Sequence, residues 1–218
     1  MKHNSVELIV TEHIELQDYQ TIFDNMAEFT KNRKNTPDQI WVLEHYPVYT
    51  HGLASKQEHV LTDLPYPIAQ SDRGGQITFH NPGQLIFYLM IDLKQRNISI
   101  IDLINNIENA IVATLAEFGI SAKTNRSIGR GVFVGNKKIA FIGLKIKNKC
   151  SYHGFSLNIE NDLAPYKNIN PCGISDLELT NIKHNLPNFN KRQITVKMLE
   201  YLCIYFGYHN NQVTMRTV

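Results

Sequence analysis

Three segments of the chain combine residue types that do chemistry. The run Arg73-Gly74-Gly75-Gln76-Ile77-Thr78-Phe79-His80-Asn81-Pro82-Gly83-Gln84 sets three glycines, a proline, an arginine and a histidine directly before an apolar stretch. Glycine has no Cβ to hold a ligand off its backbone amide, and Arg73 and His80 add side-chain donors. The spacing is neither a Walker A loop nor a dinucleotide fingerprint, so the run reads as a binding loop or as an ordinary glycine-rich turn.

Cys172 lies in Asn170-Pro171-Cys172-Gly173, followed by Ser175 and, three residues on, Glu178. That spacing resembles a helix capping box and sets the thiol near a helix N-terminus, where partial positive charge favours thiolate. Local context leaves both a nucleophile and a bystander open. Cys203, inside Leu202-Cys203-Ile204, and Cys150, at a strand start, read as packing.

Lys138 is the third candidate. Strand alternation places Lys138, Ala140, Ile142, Leu144 and Ile146 on one face and Lys145, Lys147 and Lys149 on the other. Burial lowers a lysine's pKa, and a charged lysine stabilises a neighbouring thiolate. Against this, Lys138 beside a hairpin can snorkel to water, and a bulge at Gly143 would break the parity. The Lys145, Lys147 and Lys149 stripe is a solvated face or a landing site for an acidic protein. His153 shares parity with Phe155, Leu157 and Ile159 and reads as a core histidine, while His45, His51 and His59 show no metal-ligand spacing.

Regular elements must bring these segments together. Leu16, Tyr19, Ile22, Phe23, Met26 and Phe29 recur at helical steps over residues 15–31, and a short strand follows at residues 40–44. Ser99 with Asp102 caps a second helix whose apolar face is Ile101, Ile104, Ile107, Ile111 and Leu115, ended by Gly119. A third helix spans residues 195–206 through Val196, Leu199, Leu202 and Phe206. Strands are expected at residues 84–92, 131–134, 137–147 and 150–159, with Gly135-Asn136 turning a hairpin. Helices interspersed irregularly among hairpins predict an α+β fold, a mixed β-sheet with packed helices.

The 218 residues, 43% hydrophobic, suit a single domain over 1–218, since no repeat or linker divides them. A net charge of +2 supplies no field for a nucleic-acid backbone. The longest apolar run, Leu85 to Ile91, falls far short of the roughly 20 residues that span a bilayer, and MKHNSVELIV lacks a signal-peptide core, so a cytoplasmic protein without membrane contact is expected. Three cysteines without CxxC spacing suggest neither a disulfide framework nor structural zinc.

Taken together, the chain resembles the lipoyl(octanoyl) transferases, the octanoyl-carrier-protein:protein N-octanoyltransferases of lipoate biosynthesis. Four blocks carry the resemblance, from about residue 40 to residue 180: Glu44-His45 with Pro47-Val48; RGGQITFHNPGQ at 73–84; KIAFIGLKI at 138–146 with YHGFSLNI at 152–159; and INPCGI at 169–174. The resemblance implies a fold similar to the catalytic domain of biotin and lipoate protein ligases, and an acyl transfer needing no nucleotide, metal or other cofactor. It implies that Cys172 takes the octanoyl group from octanoyl-acyl carrier protein as a thioester, that Lys138 lowers the thiol's pKa, and that a lysine of an apo lipoyl domain accepts the acyl group. Such domains belong to 2-oxoacid dehydrogenase complexes and the glycine cleavage H protein. By the same similarity, Arg73 to His80, Phe141, Ile142 and Gly143, and Gly154, Phe155 and Ser156 bind the acyl substrate.

Three positions depart from the family: Asn81 replaces a usual glycine, Arg130 a common proline, and Phe141 a usually small residue that would shape the acyl tunnel. An ATP-dependent lipoate or biotin ligase is the nearest rival, yet it needs no cysteine nucleophile. A non-catalytic module holding carrier protein or lipoyl domain is a second rival, and a cysteine hydrolase is a third.

Overall fold

The apolar run beginning at Leu85 offers no side chain to water on either face, so a strand made from it belongs at the centre of a sheet. The computed structural model describes residues 6–218; the first five, part of the stretch read for a leader, lie outside the described residues. The first half of the chain forms β1 (Leu8–Glu12), α1 (Tyr19–Asn32), β2 (Asp38–Leu43), β3 (Val48–His51), β4 (Ile68–Gln70), β5 (Thr78–His80) and β6 (Gln84–Met90). Then come α2 (Leu93–Arg96), α3 (Ile100–Glu117), β7 (Ala122–Asn125), β8 (Gly129–Val134), β9 (Lys137–Lys147) and β10 (Cys150–Asn158). The chain closes with α4 (Ile182–Asn185), α5 (Lys191–Phe206) and β11 (Val213–Thr217).

Among the described residues, eight strands form one sheet in the order β11-β1-β2-β6-β10-β9-β8-β7, and β4-β3-β5 form a second. β1 runs parallel to both of its neighbours and the remaining pairs of the large sheet are antiparallel. β6 is central and wholly buried. Its Leu85, Phe87 and Leu89 pack with Leu103, Ile107 and Ile111 of α3 and Ile194, Met198 and Leu202 of α5. Ile86, Tyr88 and Met90 meet Ile22 and Met26 of α1 on the opposite face. The result is the mixed sheet with packed helices that the pattern predicts, and no helix among the described residues is long and apolar enough to cross a membrane.

Helix boundaries and faces differ in detail from the sequence reading. α1 begins at Tyr19 because Asp18 caps it, accepting from Thr21 N at 2.8 Å. Asn190 caps α5 one turn earlier than expected, and Val196 faces outward while Ile194 and Met198 fill the core. In α3 the Ser99–Asp102 capping box forms, yet Ile101 is 60% exposed and Leu103 takes the core position. The first turn of α3 overhangs the end of the main core, where Ile100 and Ile104 line a cavity.

Two buried histidines tie α1 and the loops to this sheet. His45 Nδ1 donates to Gln17 O at 3.0 Å and its Nε2 accepts from the Tyr88 hydroxyl at 2.7 Å. His80 Nδ1 donates to Gln84 Oε1 at 2.7 Å, because the Gln84 amide nitrogen is itself donating to Asn158 Oδ1 and the Tyr166 hydroxyl oxygen. Burial pushes His45 down to about 4 and His80 down to about 3. Unfolded histidines take up protons near pH 6.5, so the unfolded chain binds more protons below that pH and stability falls as the solution is acidified. We expect a loss of roughly 1 kcal/mol per histidine per pH unit below 6.5. Replacing both by Gln should flatten the curve of Tm against pH between 6.5 and about 5, above the carboxylate range; parallel curves for wild type and variant would refute the assignment.

Candidate active site

The β8–β9 ladder pairs Val132 with Ala140 and Phe133 with Lys138, so Ile139 is an extra residue on β9. Alternation breaks there rather than at Gly143. Ile139 and Ala140 both pack into the α3 and α5 core, while Lys138 turns to the other face. Its Nζ lies 5.4 Å from the Phe133 ring centroid and 4.8 Å from that of Phe141. Lys138 therefore shares a face with Phe141, correcting the expected grouping with Ala140, Ile142, Leu144 and Ile146. It does not snorkel: the residue is 1% exposed, and Nζ donates to Arg130 O at 2.6 Å and to Cys172 Sγ at 3.2 Å.

The same strand decides the surroundings of Cys172. Lys138 N donates to Glu178 O at 2.8 Å and Thr180 N donates to Lys138 O at 3.0 Å, which holds residues 178–180 extended. Ser175 and Glu178 thus cap no helix, and the expected helix N-terminus beside the thiol is absent. Cys172 instead occupies the single turn Pro171–Gly173 with φ of +60°. Gly173, at φ +72°, lets that turn close against two neighbours: a Cβ there would meet His59 Nε2 at 3.1 Å and Gln76 Cγ at 3.2 Å. The charge beside the sulfur comes from a side chain, Lys138, in place of a helix dipole. The other thiols lack such a partner, and burial pushes Cys150 up and Cys203 up to about 11.

The glycine-rich loop reaches the site along the edge of β9. β8 pairs with β9 no further than Ala140, and Gly74 N takes the next open position by donating to Leu144 O at 2.9 Å. Arg73 is buried with its Nη2 on Thr50 O at 2.6 Å, its Nε on Thr50 Oγ1 at 3.2 Å and its Nη1 on Gly74 O at 3.1 Å. Burial pushes its pKa below the usual arginine value. Gly143 and Gly154 face each other across β9 and β10. A Cβ on Gly154 would lie 1.9 Å from Phe87 O, so β6 can pass only because no side chain stands there.

Between these elements lies a cavity of about 490 Å³, within the range of small-molecule sites. Arg73, Gly74, Gly75, Gln76, Ile77, Thr78, His80, Phe141, Ile142, Gly143, Gly154, Phe155, Ser156 and Cys172 all line it. Phe79 is the exception among the expected binding residues: alternation along β5 turns it away, against Tyr49 at 4.6 Å. Sequence reasoning missed an aliphatic wall of Ile100, Ile104, Ile128, Leu144, Ile146 and Ile174, together with Tyr19, Ile86 and Tyr88. Its only sequence signal was apolar residues in excess of the helix face. The opposite wall is polar, and among the described residues the buried atoms Gln76 Oε1, Thr78 Oγ1, His153 Nδ1 and Ser156 Oγ have no hydrogen-bond partner. Orphaned buried polar atoms are costly, and four of them on one wall offer hydrogen-bonding positions to a ligand. An aliphatic chain with a polar head matches both walls.

The three departures are absorbed locally. Asn81 donates to Asp162 O at 3.0 Å and accepts from Asn161 Nδ2. Lys138 uses the backbone carbonyl of Arg130, a group proline also carries. Phe141 stacks on Tyr166 at 5.5 Å. His153 adopts φ of +56°, which swings its ring off the Phe155 face; it stacks on Phe23 and its Nε2 donates to Asp72 Oδ1 at 2.9 Å. The lysine stripe is uneven: Lys147 is exposed on β9, Lys145 is half-buried, and Lys149 sits in the β9–β10 turn at φ +62°.

Known proteins resemble this chain in sequence and in fold. Residues 18–203 match the lipoyl protein ligase A/B catalytic domain. The chain is 43% identical over 199 residues to an octanoyltransferase of Legionella pneumophila, covering 91% of this chain and all of that protein. Its fold is similar to the bipartite lipoate protein ligase of Thermoplasma acidophilum, with a TM-score of 0.76 at 13% identity over 98% of this chain and 87% of that one. It is also similar to the biotin protein ligase of Aquifex aeolicus, with a TM-score of 0.58 at 11% identity over 92% and 70% of the two chains. The chain belongs to the lipoyl protein ligase A/B catalytic-domain family and, within it, to the octanoyltransferases.

Proposed function

We propose that this octanoyltransferase works through a Cys172 thioester, with octanoyl-acyl carrier protein as donor and an apo lipoyl-domain lysine as acceptor. The observation that carries the reading is the 3.2 Å contact of Lys138 Nζ with Cys172 Sγ at the edge of a cavity with one aliphatic and one polar wall. Lys138 takes the thiol proton and, as an ammonium, holds the thiolate by charge. Sγ attacks the donor thioester, the phosphopantetheine thiol leaves with the proton, and the octanoyl chain lies along Ile142, Leu144, Ile146, Ile100 and Ile104. In the second half the lipoyl-domain ε-amine attacks the Cys172 thioester, its proton passes to Lys138, and an amide forms as the thiol is regenerated. Thioester exchange is nearly isoenergetic; amide formation drives the transfer. With the Gly74 amide engaged by Leu144 O, the Gly75 and Gln76 amides are the loop donors for the tetrahedral oxyanion on this reading.

The acceptors on this reading are the lipoyl domains of 2-oxoacid dehydrogenase complexes and the glycine cleavage H protein. Residues 1–218 form one catalytic domain acting in the cytoplasm, without nucleotide. Incubated with octanoyl-acyl carrier protein and no ATP, the wild type should gain an octanoyl mass that an apo lipoyl domain discharges, while Cys172→Ala gains none. Lys138→Ala should lower kcat/KM by roughly 10²- to 10⁴-fold, and Lys138→Arg should rescue little because guanidinium holds its proton. Modification that requires ATP and free octanoate would instead indicate ligase chemistry. The exposed Lys147 and Lys149 are the natural landing points for an acidic carrier, so reversing both to Glu should flatten the salt dependence of kcat/KM; an unchanged slope removes them from the docking surface.

A further inference from the structure

A carboxylate lies beneath the Lys138 site and is not accounted for by the chemistry above. Glu108 belongs to the buried face of α3, between Ile107 and Ile111, and its side chain is 1% exposed. A lone carboxylate in such a place is costly unless charge and hydrogen bonds compensate it. Arg126, in the β7–β8 connection, supplies the charge through a two-pronged pair with both carboxylate oxygens, its Nη1 lying 2.6 Å from Oε1. A third donor is Gly131 N, 3.1 Å from Oε1.

That third contact connects Glu108 to the reaction. The N–H of Gly131 and the C=O of Arg130 are two ends of one peptide group. Glu108 accepts from one end, and Lys138 Nζ donates to the other at 2.6 Å. A peptide whose N–H is held by a carboxylate carries more negative charge on its carbonyl oxygen, so it binds an ammonium more strongly. Gly131, at φ +121°, has no side chain to resist rotation of this peptide, and the lysine stem runs directly over it: a Cβ there would meet Lys138 Cε at 2.7 Å. The peptide's orientation is therefore held by its two hydrogen-bond partners, one of which is the residue to be positioned.

We propose that Glu108 is a positioning residue for Lys138, acting through the peptide group between Arg130 and Gly131 to hold Nζ aimed at Cys172. The inference rests on the Cys172 and Lys138 reading given above. Other charged or titratable groups at the pair are Arg73 from the glycine-rich loop, Arg130, which itself lines the cavity, His59 beside Gly173, and Tyr166 behind Phe141; among the described residues none of their side-chain hydrogen bonds goes to the 130–131 peptide.

The test is the pH dependence of Cys172 alkylation by iodoacetamide, read with kcat, KM and Tm in the full-length enzyme. Glu108→Gln keeps the size and an acceptor but loses the charge; Glu108→Asp keeps the charge and the Arg126 pair but withdraws from Gly131. Both should move the alkylation midpoint upward, by about one pH unit for Glu108→Gln, and lower kcat about tenfold with little change in KM for octanoyl-acyl carrier protein. Arg126→Lys, which keeps a positive partner for Glu108 but loosens the two-pronged pair without touching the peptide, should lower Tm and leave the midpoint in place. Should both Glu108 variants lose Tm yet keep the wild-type midpoint and kcat, Glu108 is a structural ion-pair partner only and the proposal is overturned. Lys138→Ala separates the two levels: if it leaves the midpoint unmoved, the lysine–thiol reading fails and the relay with it. If Lys138→Ala moves the midpoint and neither Glu108 variant does, the relay alone is overturned.

Discussion

A lysine head group that is almost wholly removed from water must find partners for its hydrogens, and much of this fold is arranged around that requirement at Lys138. One partner is a backbone carbonyl on β8, another is the sulfur of Cys172, and the rings of Phe133 and Phe141 close over the remainder. They come from β8, from β9 itself and from the Pro171–Gly173 turn. The extra residue at Ile139 turns the side chain to the correct face, and the pairing of the Lys138 backbone with residues 178–180 anchors the segment that carries the cysteine. Without the bulge the lysine would point among the α3 and α5 core residues, on the opposite face from Cys172.

The cavity follows from the same place in the sheet. β8 leaves β9 after Ala140, and the glycine-rich loop takes over the open edge without filling the space beside it. Isoleucines from α3 and β9 form one wall and unpartnered polar atoms from the loop and β10 form the other. Three neutral histidines, His45, His80 and His153, support the polar side by hydrogen bonds to fixed partners, so the site presents dipoles with little competing charge. The excess charge near the sulfur is positive, from Lys138 and the buried Arg73, which suits a thiolate and an oxyanion.

Most of the layering was legible because it depends on short-range patterns. Ser99 with Asp102 caps α3, Gly135-Asn136 turns the β8–β9 hairpin, and the unbroken apolar run of β6 announces a strand buried on both faces. What misled was inference carried one step past the pattern. Ser175 and Glu178 have the spacing of a capping box, yet the backbone hydrogen bonds of those residues go to a strand instead. Alternation along β9 and β10 failed where Ile139 bulges and where His153 adopts positive φ, because neither event leaves a residue-type signature.

By itself, the sequence determined the mixed α+β class, the helix caps, and which glycines, cysteine and lysine were worth attention, since these depend on local propensity and on residue chemistry. Only the tertiary structure decided that Lys138 meets Cys172, that Phe79 turns away from the cavity while Ile100 and Ile104 line it, and that Glu108 on α3 shares a peptide group with Lys138. The physical reason is that these contacts join residues distant along the chain, through backbone groups and register shifts that no single residue type encodes.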